Sequence, residues 1–129
     1  MALIFRGGGF APPGGGGGFT PASLSGLIAW YKADAGVYHD AGSTPATDGQ
    51  SVQQWNDQSG NGYHLAASGG FTSYLATGFN SMPTISFASS LTSALSTYFL
   101  ASTQTVAMGA GAVASCFIVA NISDLAVVP

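Results

Sequence analysis

The sequence predicts an all-β fold, an antiparallel sandwich or barrel behind an extended glycine-rich arm. Three observations predict it. Short segments rich in Val, Ile, Phe, Tyr and Trp recur along the chain. Gly, Ser, Asn and Asp turns divide them at fairly even spacing, as in sandwiches and barrels. The abundance of Ser and Gly weakens isolated helices. Hydrophobic residues make up 47% of the 129 residues and aromatics 12%, enough for a core in one domain or one domain plus a tail. Disorder through low hydrophobicity is thereby excluded for most of the chain.

Residues 1–22 differ in kind from the rest. Gly7-Gly8-Gly9 and Gly14 to Gly18 flank Ala11-Pro12-Pro13, with Phe5, Phe10 and Phe19 spaced between them. That much glycine makes regular structure entropically costly, and Pro12-Pro13 breaks a helix or central strand. The segment reads as a flexible arm whose three phenylalanines are candidate anchors in a partner's groove. The β domain is expected over 23–129. Its first strand falls within Gly26–Asp34, followed by a polar loop over Gly36–Gly49. A second strand is expected over Ser51–Asn56. Asp57-Gln58-Ser59-Gly60-Asn61-Gly62 is strong turn chemistry, because Ser-Gly and Asn-Gly supply positive φ. Further short strands are expected at Tyr63–Ala66, Tyr74–Ala76, Thr84–Phe87 and Ser96–Leu100. Ala112–Ile122 is a long apolar run, and the apolar-leaning stretch Val106–Ala120 reads as a core strand, with Cys116 a small buried hydrophobe.

Charge is the unusual quantity. The chain carries two Lys plus Arg and five Asp plus Glu, all of the latter Asp, for a net charge of −3. A typical soluble domain is about a quarter charged. A surface built from Ser, Thr, Gly, Asn and Gln has little repulsion to keep copies apart, which suits packing against other chains or life outside the cell. Two basic residues cannot neutralise the phosphates of a duplex, and the same shortage disfavours anionic membranes. Met-Ala-Leu-Ile-Phe-Arg lacks the apolar stretch of a secretory signal. Val106–Ala120 is shorter than the ~20 residues of a membrane helix. Neither a nucleic-acid nor a membrane partner is expected.

Leu27-Ile28-Ala29-Trp30-Tyr31-Lys32-Ala33-Asp34, then Val52-Gln53-Gln54-Trp55-Asn56-Asp57-Gln58-Ser59-Gly60-Asn61-Gly62, then Pro83-Thr84-Ile85-Ser86-Phe87, resembles the opening of concanavalin A-like, laminin-G-type jelly rolls. The resemblance covers about residues 24 to 122, and its most specific part is the Trp-Asn-Asp-Gln-Ser-Gly run. It implies a jelly-roll-like antiparallel sandwich, of the kind found in phage virion and bacterial surface proteins as structural or carbohydrate-binding modules. The family fold is longer than the chain after residue 23, so the resemblance implies its N-terminal part. A partner chain, oligomerisation or further sequence would then complete the sandwich.

Trp30 and Trp55 could stack on sugars, although a Trp in an alternating strand is more often core. Trp55, Asn56, Asp57 and Asn61 are the candidate ligand-binding residues. Asp57 can instead cap its turn by accepting backbone N–H bonds. Calcium is the rival ligand, with Asn56, Asn61 or Asp48 adding oxygens, but it wants six to eight of them and no dense acidic run is present. His39 and His64 are isolated from each other and from Cys116, which argues against zinc. There is no Gly-x-Ser-x-Gly elbow, and Gly14–Gly18 is not followed by the Lys-Ser of a phosphate loop. Glycoside hydrolysis uses two carboxyl groups across the scissile bond, yet the chain has no Glu and no closely paired Asp. No catalytic residue is expected. The reading is a non-enzymatic virion component such as a tail fibre, spike or capsid-attached protein. Phe5, Phe10 and Phe19 would anchor it to other virion proteins, and the domain would project or trimerise. The alternative is a carbohydrate-binding module of a secreted or surface protein.

Overall fold

A computed structural model describes the backbone of Ala2–Gly7 and Tyr98–Ala101, and residues 20–68, 72–87 and 114–120 in full. The described residues form nine strands, and every pairing between strands is antiparallel. The fold is all-β.

β1 (Ala2–Gly7) is the first of them. It pairs with β2 (Leu27–Lys32) on one side, Ile4 opposite Trp30, and with β9 (Ala114–Ile118) on the other, Ile4 opposite Phe117. A shift in register between Phe5 and Arg6 marks a bulge in the β1–β2 ladder. The start of the glycine-rich segment is therefore a central strand of a sheet ordered β2-β1-β9, where the composition of 1–22 predicts a coil. Ala2-Leu3-Ile4-Phe5 is ordinary strand sequence, and the glycines begin only at its last residue. Phe5 belongs to a backbone bonded on both sides. Phe10 and Phe19 lie outside the described residues.

β2 explains how the core begins. Alternate side chains of a strand face opposite ways. Ala29 and Tyr31, and Ala33 beyond the strand's end, are buried, while Trp30 and Lys32 are half-buried on the other face. Lys32 Nζ lies 5.6 Å from the Trp30 ring centroid, a cation–π contact that covers part of the indole.

A second sheet is ordered β3-β4-β5-β8: β3 (Val37–Tyr38), β4 (Gln54–Trp55), β5 (Leu65–Ser68) and β8 (Tyr98–Ala101). β6 (Thr72–Leu75) and β7 (Thr84–Phe87) form a two-stranded sheet with Tyr74 opposite Ile85. Backbone bonds from Gly49 N to Tyr74 O, Tyr74 N to Gln50 O and Val52 N to Thr72 O lay the 49–52 segment along β6. The buried Thr72 hydroxyl donates to Val52 O at 2.8 Å and so closes that seam.

The three sheets share one core of Ala29, Tyr31, Ala33, Val37, Val52, Trp55 and Ile85. Trp55 and Val52 are 1% and 0% exposed. The Tyr31 and Trp55 rings meet at 5.6 Å and 54°, a tilted arrangement that aromatic quadrupoles favour. Gly36 sits where the turn after β2 meets β4. A Cβ there would come within 2.9 Å of Asn56 Cβ, and its φ is +69°, so only glycine fits.

Two expectations need correcting at β9. Ala114–Ile118 is a strand, but all five residues are exposed, so the apolar run is no core strand in its described part. Cys116 is exposed with them. In the order β2-β1-β9, β9 is the edge of its sheet among the described strands, and apolar composition alone does not distinguish an edge from a centre.

Candidate functional site

The turn from Trp55 to Tyr63 contains all four candidate ligand-binding residues. It begins where β4 ends and folds back against β2. Gln58 N donates to Trp30 O at 2.7 Å and Asn56 N to Gly36 O at 2.7 Å, so the turn is pinned to two neighbouring segments at once.

Asp57 is the hub. It is 7% exposed, and a carboxylate so placed must be satisfied by donors or give up its charge. Its Oδ1 accepts the N–H of Trp30 at 2.9 Å and of Ser59 at 2.8 Å. Its Oδ2 accepts the Ser59 hydroxyl at 2.6 Å and the Tyr63 N–H at 3.2 Å. Burial pushes the carboxyl's pKa up, but the hydrogen bonds from the Ser59 hydroxyl and the Trp30, Ser59 and Tyr63 backbone outweigh it and hold the pKa below the ordinary value. At neutral pH the group is ionised, with both of its oxygens occupied by donors. It caps the turn, as its position before Ser59-Gly60 predicts, and it also ties that turn to β2 across a separation of 27 residues.

The other candidates serve the same construction. The Trp55 indole N–H donates to Lys32 O at 3.0 Å and the ring is closed off from solvent, so it offers no stacking face to a sugar. Asn56 accepts from Gln54 Nε2 at 2.6 Å. Asn61, exposed on the turn, donates through Nδ2 to both Leu27 O and Ile28 O at 2.9 Å. Asp48 is engaged elsewhere, accepting from Ala76 N at 2.8 Å. The Asp57 oxygens are thus aimed at by hydrogen-bond donors, the opposite of what a cation requires. Among the described residues no three His, Cys, Asp or Glu side chains come together as a metal site would need.

Sequence reasoning missed three parts of this network. Ser59 contributes both a hydroxyl and an N–H to Asp57, and its Oγ also lies 3.0 Å from Ile28 O, a second acceptor within reach of its one proton. The Tyr31 hydroxyl donates to Tyr63 O, and burial followed by the nearby Asp57 charge raises its pKa above the ordinary phenol value. His64 Nδ1 accepts the Asp57 N–H at 3.2 Å. The Asp-x-Ser-Gly spacing was the legible signal for Ser59; the partners of Tyr31 and His64 depend on packing across sheets. A second carboxylate turn lies at Asp40, whose oxygens accept the N–H groups of Thr44, Ser43 and Gly42. The Thr44 bonds lead in holding its pKa low.

Ala33–Val37, Pro45, Ala46 and Tyr74 line an open depression of about 120 Å³, well below the ~300 Å³ at which small-molecule pockets begin. The chemistry of the whole region is that of a pinned turn. No known family model, curated protein or solved structure matches the chain.

Proposed function

We propose that this chain is a non-enzymatic structural or attachment component of a phage virion, a tail-fibre, spike or capsid-attached protein. In this reading its β domain is jelly-roll-like, related to the concanavalin A-like domains it resembles, and packs against other virion proteins or copies of itself. The observation that carries the reading is the surface. Phe117, Ile118 and Val119 are consecutive and 55%, 62% and 65% exposed, on a chain with seven charged residues in 129. Consecutive exposure of large apolar side chains on a strand that is the edge of its sheet among the described strands suits burial by another protein. The lack of Glu and of paired Asp supports the absence of hydrolytic chemistry.

Phe5, Phe10 and Phe19 are the anchor residues in this reading, with glycine between them to let the backbone approach a partner closely. Ordering such a segment costs about 1 kcal/mol or more per residue, so it should fix only in the assembly. The test is the double variant Phe10→Ser/Phe19→Ser, assembled into particles in competition with the parent chain. Loss of incorporation with an unchanged melting temperature supports the reading; normal incorporation refutes the anchor. A glycan array on the same chain addresses the carbohydrate-binding alternative, for which the enclosed Trp55 ring leaves little support.

A further inference from the structure

We propose that Asn61 is a deamidation site which the folded turn holds shut, and which becomes a one-way mark once the turn has opened. The argument begins with the dipeptide Asn61-Gly62. A glycine has no side chain to shield its nitrogen, and here a Cβ on Gly62 would meet nothing within 4 Å. The reaction needs only water. The Gly62 nitrogen, its proton lost to solvent base, bonds to Asn61 Cγ; the Cγ–Nδ2 bond breaks and Nδ2 leaves as ammonia, taking up a proton. One water then opens the cyclic imide at either carbonyl and leaves aspartate or isoaspartate at position 61. Nothing is oxidised or reduced.

The folded structure opposes each stage. The departing nitrogen is the atom bonded to Leu27 O and Ile28 O at 2.9 Å each, so its loss breaks both ties to β2. The backbone N–H of Asn61 donates to Ser59 Oγ at 3.2 Å, and that oxygen belongs to the Asp57 network. Cyclisation must rearrange a backbone held on both counts. Local opening has to come first, so the native rate is reduced by the fraction of time the turn is open.

The product cannot return to the same place. A carboxylate has no N–H for the carbonyls of Leu27 and Ile28, and it would set a negative charge against two carbonyl oxygens, four residues from ionised Asp57. Once formed, it favours the open turn. An isoaspartate adds a backbone atom to the turn and has the same effect.

Two measurements on the full chain test this. In mildly alkaline buffer, aspartate plus isoaspartate at residue 61 is quantified by peptide mass mapping, with and without urea. The native chain should convert at least ~tenfold more slowly; equal rates would overturn the protection. Separately, melting temperatures should fall in the order parent, Asn61→Ala, Asn61→Asp at neutral pH. The gap between the two variants should close as pH falls below about 4, where the new carboxyl is protonated. An Asn61→Asp chain as stable as Asn61→Ala at neutral pH would overturn the one-way character.

Discussion

Removing the Asp57 carboxylate strands three backbone donors, the N–H groups of Trp30, Ser59 and Tyr63, and leaves the Ser59 hydroxyl only Ile28 O to turn to. Each buried donor left unmatched costs about 1–3 kcal/mol, but some will find water at the turn surface. Asp57→Ala should therefore lower unfolding free energy by about 3 kcal/mol, read from urea denaturation. The pH dependence follows from the direction of the shift. A carboxyl whose folded pKa lies below its unfolded value stabilises fully above the unfolded value of about 3.9, and loses that contribution as pH falls through the folded value. Asp40 is shifted the same way. The variant should keep part of the parent's acid sensitivity and lose the rest; an unchanged acid profile would show that Asp57 is not linked to folding. Tyr31 works at the other end of the scale. Its folded pKa is raised, so its contribution is whole below about 10 and is lost as pH rises from there through the folded value. Tyr31→Phe loses one hydrogen bond at neutral pH, worth about 1 kcal/mol, and should unfold less steeply above pH 10 than the parent.

Strands show what the sequence made legible and what it did not. Thr84–Phe87 falls where expected, and β2 lies inside Gly26–Asp34, because β-branched and aromatic residues flanked by turns leave little alternative. Ser51–Asn56 shortens to Gln54–Trp55, since residues 49–52 bond to β6 instead, a long-range partner that no local pattern announces. β3 was hidden in a loop of polar residues: Val37-Tyr38 is too short to signal, and its pairing with Trp55 depends on where Gly36 turns the chain. β1 was hidden by its neighbours, because eight glycines between residues 7 and 18 masked the strand before them. Within the candidate site the Asp57 turn was readable from Asp-x-Ser-Gly. The enclosure of Trp55 was not, because burial belongs to the assembled sheets. The position of β1 has a direct consequence. Deleting residues 2–7 takes away the strand between β2 and β9 and leaves β2, which carries the core residues Ala29 and Tyr31, with an unpaired edge. Hydrogen-exchange protection of the β2 amides should fall in that truncation, and melting should come at lower temperature. Full protection of β2 without residues 2–7 would mean that the first segment is dispensable to the fold.

For the molecule as a whole, the scarcity of charge determines how association should respond to solution conditions. Coulombic steering and repulsion both scale with the number of charges, and salt at 0.15 M screens exposed charges beyond about 8 Å. With seven charged residues in the chain, and one ion pair among the described residues, Lys32–Asp34 at 3.3 Å on the surface, there is little for salt to screen. Apolar contact is governed differently. It is entropic near room temperature and weakens on cooling. If Phe117, Ile118 and Val119 are covered by another copy or a partner, association should change little between about 0.05 and 0.5 M salt and should loosen in the cold. Phe117→Lys separates this from an unrelated interface. Residue 117 is more than half exposed on a strand that is an edge among the described strands, so a lysine costs the fold little, while a charge on a sheet edge opposes strand-to-strand addition. Light scattering of the variant should show a smaller mass at equal concentration with an unchanged melting temperature. A strongly salt-dependent mass, or one indifferent to the new lysine, would place the contact surface elsewhere on the molecule.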